Sequence, residues 1–140
     1  MPDTVLYTAE VASIGDGRNG HVTSSDRRLD LDLSAPPELG GPGGDGTNPE
    51  QLFGAAYAAC FHSALRGLAR QAGVDASQSV VTALVGIGPE GDEYDLVVTL
   101  VIAVPGLDRE QIRELADAAH QRCPYSRAIR GNISVELRVP

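Results

Sequence analysis

The sequence has 140 residues, of which 42% are hydrophobic, and a formal net charge of −8. This length suits one domain with a sizeable core, and we expect residues 1–140 to form a single domain. The acidic balance argues against a nucleic-acid partner, which would require a basic surface. No apolar run approaches the roughly 18 residues of a membrane span, and the N-terminus lacks the basic and apolar regions of a signal peptide. We therefore expect a cytoplasmic protein with no membrane partner.

The first third of the chain is typical of β-strands. Residues 5–14 are rich in β-forming side chains, and residues 21–25 return as a second strand after a glycine-rich turn, which predicts a hairpin. Residues 29–33 alternate leucine with aspartate, which predicts a third strand with one solvated face. Residues 34–47 are a loop of Pro and Gly whose length is typical of functional or mobile segments. A merely flexible insertion is the alternative.

A long apolar helix is predicted after this loop. Thr47 and Glu50 have the spacing of a capping box, and Asn48 followed by Pro49 offers an alternative start. Residues 52–61 have no polar face, which predicts a buried helix of about 25 residues.

The rest of the chain predicts two strands, a second helix and a last strand, at residues 79–87, 94–104, 108–123 and 133–139. Gly73 suits the end of the first helix. The long aliphatic runs of the two middle strands predict burial on both faces. Asp108 and Gln111 can cap the second helix, and Pro124 ends it near Cys123. This order indicates an α+β fold with an antiparallel sheet.

The two cysteines are too few for a disulfide scaffold. Cys60 lies within the apolar helix, where burial raises the pKa of a thiol, so its reactivity would need a positive partner. Because all eleven basic residues are arginine, that partner must be an arginine or a protonated histidine. Cys123 lies at a helix end whose dipole disfavours a thiolate. The asymmetry suggests that Cys60 attacks first and that Cys123 joins later.

Two other uses of these thiols have weaker support. Cys60 and His62 point about 200° apart on a helix, so they cannot share a metal ion. His120 and Cys123 can share a face, which leaves three ligands at best. A Cys-His hydrolase needs a base oriented by a third group, and no such triad stands out. We therefore expect no bound metal, predict His62 and His120 at helix surfaces or edges, and find no evident partner for His21.

Four short motifs carry a family resemblance, and they are NPEQLF (Asn48–Phe53), YAACF (Tyr57–Phe61), CPYS (Cys123–Ser126) and RGNI (Arg130–Ile133). Each is weak alone, but together, in this order and at this spacing, they are highly specific. The sequence resembles the organic hydroperoxide resistance proteins, a branch of the OsmC/Ohr family, over essentially its whole length. The resemblance implies an α+β fold in which antiparallel sheets wrap around two central helices in an intertwined homodimer.

The resemblance also implies a thiol-dependent peroxidase that reduces organic (alkyl or fatty-acid) hydroperoxides to alcohols without a cofactor. Cys60 would be the peroxidatic cysteine and Cys123 the resolving one. Arg18 matches the arginine that activates the thiolate, and Glu50 matches the carboxylate that orients this arginine. Cys60 would form a sulfenic acid and then a disulfide with Cys123. Dihydrolipoyl groups of a lipoylated protein, or another dithiol, would reduce that disulfide.

Several points stay open at this level. From the residues alone, Arg18 fits a plain solvated turn, and Glu50 fits a capping role. Glu50 lies about 15 Å before Cys60 along a helix axis, so it would have to act through Arg18. An apolar substrate tail could be lined by Leu52, Phe53, Phe61 and the loop at residues 36–39. The alternative function is a thiol redox sensor, or a ligand-binding relative of the same fold, that oxidises without turnover.

Overall fold

Six strands and three α-helices make up the chain in a computed structural model that describes residues 1–140. They are β1 (Val11–Ile14), β2 (His21–Ser24), β3 (Asp30–Asp32), α1 (Pro49–Gln71), β4 (Val80–Glu90), β5 (Glu93–Ala103), α2 (Arg109–Arg122), α3 (Pro124–Ile129) and β6 (Val135–Arg138). The predicted α+β class is confirmed. The chain divides into two compact units, Met1–Pro49 and Glu50–Pro140. This division does not test the expectation of a single domain, which stays a prediction.

The first unit contains a three-stranded antiparallel sheet in the order β1-β2-β3. Ile14 pairs with His21, so the predicted hairpin is confirmed. The first strand is shorter than predicted, because only Val11–Ile14 pairs with β2. Residues 1–10 are exposed and have no regular structure. These residues are β-forming, but no strand of this chain pairs with them, because β2 is only four residues long.

The glycine-rich loop at residues 34–47 is held by its own hydrogen bonds. Leu33 and Thr47 form a parallel bridge that joins the two ends of the loop. The backbone N–H of Gly43 donates to the carbonyl of Ala35 at 2.9 Å, and that of Gly46 donates to Ser34 Oγ at 2.9 Å. The loop is therefore a closed, hydrogen-bonded segment with a defined path.

Helix α1 has the predicted ends. It begins at Pro49, so Asn48 directly precedes the first helical residue, as in the second of the two predicted starts. At its other end Gly73 has a φ of +70°, a conformation that glycine adopts without strain. The backbone N–H of Val74 donates to the carbonyl of Ala69 at 2.9 Å, which closes a Schellman motif.

The prediction that α1 is buried all round is wrong within the single chain. One stripe of the helix packs in the core of the second unit, and its buried residues are Gly54, Tyr57, Phe61, Leu65 and Ala69. Ala55, Ala56 and Ala59 are exposed on another face. These alanine side chains form an apolar face that no other part of the chain covers. None of the helices combines the length and hydropathy required to cross a bilayer.

The second unit contains a three-stranded sheet in the order β4-β5-β6. β4 and β5 form the predicted antiparallel hairpin, but β6 runs parallel to β5. The all-antiparallel expectation is therefore wrong for this pair. The cause is the connection, because α2 and α3 lie between β5 and β6 and return the chain to the same end of the sheet.

Only one face of this sheet is buried, so the prediction of burial on both faces of β4 and β5 is also wrong within the chain. Val98, Leu100 and Ile102 are fully buried, as alternate residues of one face. On the other face Leu84 is 48% exposed and Val97 is 52% exposed. Helices of this chain cover one face, and the other stays open and aliphatic.

Candidate active site

The two thiols meet in the second unit. Cys60 lies on α1 and Cys123 lies between α2 and α3, and their sulfur atoms are 3.7 Å apart. This distance is far longer than a disulfide bond of about 2.05 Å, and both cysteines are free thiols. Cys60 is partly exposed, whereas Cys123 is fully buried. The fold therefore places an accessible thiol in contact with a shielded one.

Cys123 joins two helices, which the sequence analysis did not predict. It is the C-cap of α2 and the residue before Pro124, the first residue of α3. Its N–H donates to the carbonyl of Ala119 at 2.8 Å, and its own carbonyl accepts from Arg127 N–H at 3.0 Å. In sequence, Pro124 predicts only the end of α2. Proline also favours the first position of a new helix, and that signal could have revealed α3.

The surroundings of Cys60 favour the protonated thiol. Burial raises its pKa, and the hydrogen bond with Cys123 and the charge of Cys123 raise it further. The backbone N–H of Tyr125 lowers the pKa by hydrogen bonding, but less strongly. The inference that burial works against the thiolate is therefore confirmed. A reactive Cys60 calls for a positive charge in addition to these contributions.

A polar network that sequence reasoning missed lies beside the thiols. The Tyr57 hydroxyl and Ser126 Oγ are 2.7 Å apart, and His120 Nδ1 lies 2.8 Å from the same Ser126 oxygen. Tyr57 and Ser126 are fully buried. His120 is half-buried, which fits the edge position predicted for it, and it is part of this network. A signal existed, because Tyr57 precedes Cys60 by one helical turn and so shares its side of α1.

Arg18 and Glu50, the other two predicted site residues, lie on ordered elements of different units. Arg18 is exposed on a 3-10 turn, Gly17–Asn19, in the first unit. Asn19 Oδ1 accepts from the backbone N–H of Ala35 at 2.9 Å, which ties this turn to the glycine-rich loop. Glu50 lies in the first turn of α1, where the helix dipole favours a carboxylate. The catalytic roles of both residues stay predictions.

Comparison with known proteins identifies the family. Residues 41–138 match the family model described as OsmC-like protein. The organic hydroperoxide resistance protein of Xanthomonas axonopodis pv. citri is 53% identical over 137 residues, which cover 97% of this chain and 96% of that protein. The chain belongs to the organic hydroperoxide resistance (Ohr) branch of the OsmC/Ohr family. The predicted family is confirmed.

Solved structures of Ohr proteins have the same fold. The organic hydroperoxide resistance protein OhrB of Bacillus subtilis is 42% identical, with a TM-score of 0.86 over 97% of this chain and 100% of that chain. An organic hydroperoxide resistance protein from Legionella pneumophila is 44% identical, with a TM-score of 0.90 over 97% of this chain and 98% of that chain. The OsmC/Ohr-like fold is confirmed by these similarities.

Aromatic residues flank the thiols of this Ohr chain, but not all those predicted. Phe61 is fully buried in the core, so its predicted place along an accessible substrate path is wrong. Phe53 contacts Tyr57 edge to face with ring centres 6.2 Å apart, and Tyr57 contacts Tyr125 at 6.4 Å. Tyr125 is 45% exposed. The sequence analysis did not select Tyr125, whose backbone N–H contacts Cys60 and whose side chain is accessible.

His62 belongs to a separate network on the same helix. Its Nε2 lies 2.8 Å from Ser79 Oγ, and the Ser79 hydroxyl donates to the carbonyl of Ala76 at 2.6 Å. Ser79 is buried and His62 is half-buried, which fits the edge position predicted for His62. No group of three or more His, Cys, Asp or Glu residues is arranged to hold a metal ion.

His21 has two partners, although none was evident in the sequence. It faces Asp32 across β2 and β3, with Nδ1 2.7 Å from Asp32 and Nε2 2.5 Å from Asp30. The hydrogen bonds to Asp32 and then to Asp30 raise its pKa above 6.5. Burial lowers the pKa of His62 and of His120 below the same value.

We predict that NMR titration of the imidazole rings separates His21 from His62 and His120. His21 should titrate above pH 6.5, and the other two should titrate below it. Because the pKa of His21 is raised in the folded state, its ion pairs stabilise the fold fully below about pH 6.5, and this contribution disappears as the pH rises through the folded-state pKa. The variant His21→Asn should lose that pH dependence. A His21 pKa at or below 6.5 would contradict the assignment.

Proposed function

We propose that this Ohr protein is a thiol-dependent peroxidase that reduces organic (alkyl or fatty-acid) hydroperoxides to alcohols. Cys60 is the peroxidatic cysteine, and Cys123 is the resolving cysteine. The observation that carries the proposal is the 3.7 Å contact between a partly exposed thiol and a fully buried one. Membership of the Ohr branch supports organic hydroperoxides as the substrate class.

In the first step the Cys60 thiolate attacks the terminal oxygen of the hydroperoxide. A sulfur–oxygen bond forms and the oxygen–oxygen bond breaks, so Cys60 becomes a sulfenic acid. The organic fragment leaves as an alkoxide and takes a proton from water to become the alcohol. The partial exposure of Cys60 admits the substrate, and the exposed ring of Tyr125 offers an apolar contact for its tail.

In the second step Cys123 attacks the sulfenic sulfur of Cys60. The sulfur–sulfur bond forms, the sulfur–oxygen bond breaks, and hydroxide leaves with the Cys123 proton as water. Starting from 3.7 Å, the sulfurs must approach by less than about 2 Å to reach bonding distance. The two thiols supply both electrons, so the cycle requires no cofactor. A dihydrolipoyl group of a lipoylated protein, or another dithiol, restores the thiols.

Arg18 and Glu50 complete the proposed site. Burial and Cys123 raise the pKa of Cys60, so a guanidinium beside the sulfur has a clear task, which is to favour the thiolate. Arg18 is the candidate because it matches the arginine of the family, and the bond of Asn19 to the glycine-rich loop holds the turn that carries it. A carboxylate at the start of α1 can accept from the guanidinium and orient it.

We also propose that two copies form an intertwined homodimer and that the protein acts in the cytoplasm. The exposed alanines of α1 and the open aliphatic face of β4 and β5 support a second copy, because both are apolar surfaces that the chain leaves uncovered. Sedimentation at micromolar concentration should give twice the chain mass. Two cysteines in 140 residues are too few for the disulfide scaffold of a small secreted domain, which agrees with a reducing compartment.

The test of the proposed activity is the number of turnovers. With tert-butyl hydroperoxide as substrate and dihydrolipoamide as reductant, we expect steady consumption of many equivalents of hydroperoxide per chain. A redox sensor, or a ligand-binding relative of the same fold, would consume about one equivalent and then stop. Dithiothreitol serves as a second reductant. Consumption that ends at one equivalent with both reductants would refute the peroxidase and favour the sensor.

A further inference from the structure

Three polar side chains link the helices that carry the thiols. Tyr57 lies on α1 one turn before Cys60, His120 lies on α2 one turn before Cys123, and Ser126 lies on α3 just after it. The Ser126 oxygen is 2.7 Å from the Tyr57 hydroxyl and 2.8 Å from His120 Nδ1. One buried hydroxyl therefore connects all three helices around the sulfur pair.

The donors and acceptors of this network can be assigned without conflict. A hydroxyl group carries one proton and two lone pairs, so Ser126 can accept from Tyr57 and donate to His120. His120 can accept in its neutral form, which burial and the nearby charge of Arg130 favour by lowering its pKa. Arg130 also donates to the backbone carbonyl of His120 at 2.7 Å, which holds that turn of α2. No buried side-chain nitrogen or oxygen in the chain lacks a partner.

Cys123 depends on these helices for its position. Its backbone is extended, with φ −64° and ψ 123°, so it acts as the joint between α2 and α3. α3 has only six residues, too few to be stable alone. It is linked to α1 by the Ser126–Tyr57 hydrogen bond, by the ring contact of Tyr125 with Tyr57 and by the hydrogen bond of the Tyr125 backbone N–H to Cys60. Loss of the Ser126–Tyr57 bond would loosen the joint that carries the Cys123 sulfur.

We infer that the Tyr57–Ser126–His120 network is a positioning device that holds Cys123 at attacking distance from Cys60 and thereby sets the rate of disulfide closure. Its role in turnover rests on the proposed peroxidase function. The closing reaction itself is ordinary thiol chemistry, in which Cys123 displaces whatever group Cys60 sulfur carries. The network can therefore be tested without any hydroperoxide.

The test uses the fully reduced protein and one equivalent of 4,4′-dithiodipyridine. Cys60, the accessible thiol, first captures a thiopyridyl group and releases one thiopyridone. The Cys123 thiolate then attacks the Cys60 sulfur, forms the disulfide and releases the second thiopyridone. Absorbance follows both releases. The first phase is bimolecular and reports access to Cys60, whereas the second is unimolecular and reports closure.

We expect Ser126→Ala and Tyr57→Phe to slow the second phase about tenfold, because each removes a buried hydrogen bond of the network. The first phase should not change. Ser79→Ala is the matched control, since Ser79 is also a buried serine 2.8 Å from a histidine, His62, but belongs to the other network. It should leave both phases unchanged. Tyr57→Phe keeps the packed ring, so this variant alone can test the inference if Ser126→Ala does not fold.

Each outcome of this test either supports the positioning role of the network or overturns it. An unchanged second phase in Tyr57→Phe and in folded Ser126→Ala overturns the inference, as does an equal slowing of both phases or an equal slowing in Ser79→Ala. Under excess tert-butyl hydroperoxide, slow closure should also leave the sulfenic acid exposed to a second oxidation, and sulfinic acid should accumulate by intact mass. If the second phase is slowed but wild-type Cys60 resists the hydroperoxide, the proposed peroxidase fails while the positioning role stands.

Discussion

Replacement of Cys60 by serine is expected to lower hydroperoxide consumption by roughly three orders of magnitude or more, because it removes the nucleophile on which the whole cycle depends. Serine keeps nearly the same size, and its hydroxyl is far less nucleophilic than a thiolate. The measurement is consumption of tert-butyl hydroperoxide with dihydrolipoamide in excess. Thermal unfolding of the variant should stay close to that of the wild type, which shows that the loss is chemical.

Cys123→Ser is the matched control for this experiment. It keeps Cys60, so without reductant the first oxidation should proceed at nearly the wild-type rate and consume about one equivalent of hydroperoxide. A sulfenic-acid trap such as dimedone should then label Cys60, and no intramolecular disulfide should form. Turnover in Cys60→Ser equal to that of the wild type would refute the assignment. Full loss of the first oxidation in Cys123→Ser would mean that the roles of the two cysteines are reversed.

Features decided by neighbouring residues were predictable from the sequence. The capping box of Asp108 and Gln111 is present with both of its hydrogen bonds, at 2.9 and 3.0 Å. Gly73 ends α1 in the positive-φ conformation that glycine favours. These interactions lie within one helical turn, so their residue types alone predict them.

Features decided by distant contacts were not predictable in the same way. Pro124 is compatible with the end of one helix and with the start of another. The hydrogen bond between Ser126 and Tyr57 that anchors α3 joins two residues that are separated by most of the sequence of the second unit. The aliphatic pattern of β4 and β5 shows that both faces are apolar, but it cannot show that one of them is open in the single chain. The family motifs paired Cys60 with Cys123, and only the packing of three helices provides the 3.7 Å contact.

The variant Arg18→Ala is expected to slow the first oxidation of Cys60 by about tenfold to a thousandfold at neutral pH. An opposite charge close to an ionisable group typically shifts its pKa by one to three units, and the thiolate fraction below the pKa falls tenfold with each unit. Because burial and Cys123 already raise the pKa of Cys60, removal of the guanidinium should leave the thiol largely protonated. The pH dependence of Cys60 alkylation by iodoacetamide measures this pKa directly.

Two further variants separate charge from geometry in this experiment. Arg28→Ala removes another exposed arginine of the first unit, one whose partner is Asp26, and should change neither the pKa of Cys60 nor its oxidation rate. Arg18→Lys keeps the charge but loses the planar fork of donors, so it should restore the pKa more fully than the oxidation rate. If the pKa of Cys60 is unchanged in Arg18→Ala, the electrostatic role of Arg18 is wrong.

The part of Glu50 follows from the same measurements. If Glu50 acts only by orienting Arg18, Glu50→Gln should slow the oxidation of Cys60 in the wild-type background and have no effect in the Arg18→Ala background, so that the two substitutions are not additive. A capping role alone would instead lower the free energy of unfolding by the same amount in both backgrounds and leave the pKa of Cys60 unchanged. Additive effects on the oxidation rate would refute the positioning role and leave Glu50 as a residue that stabilises the start of α1.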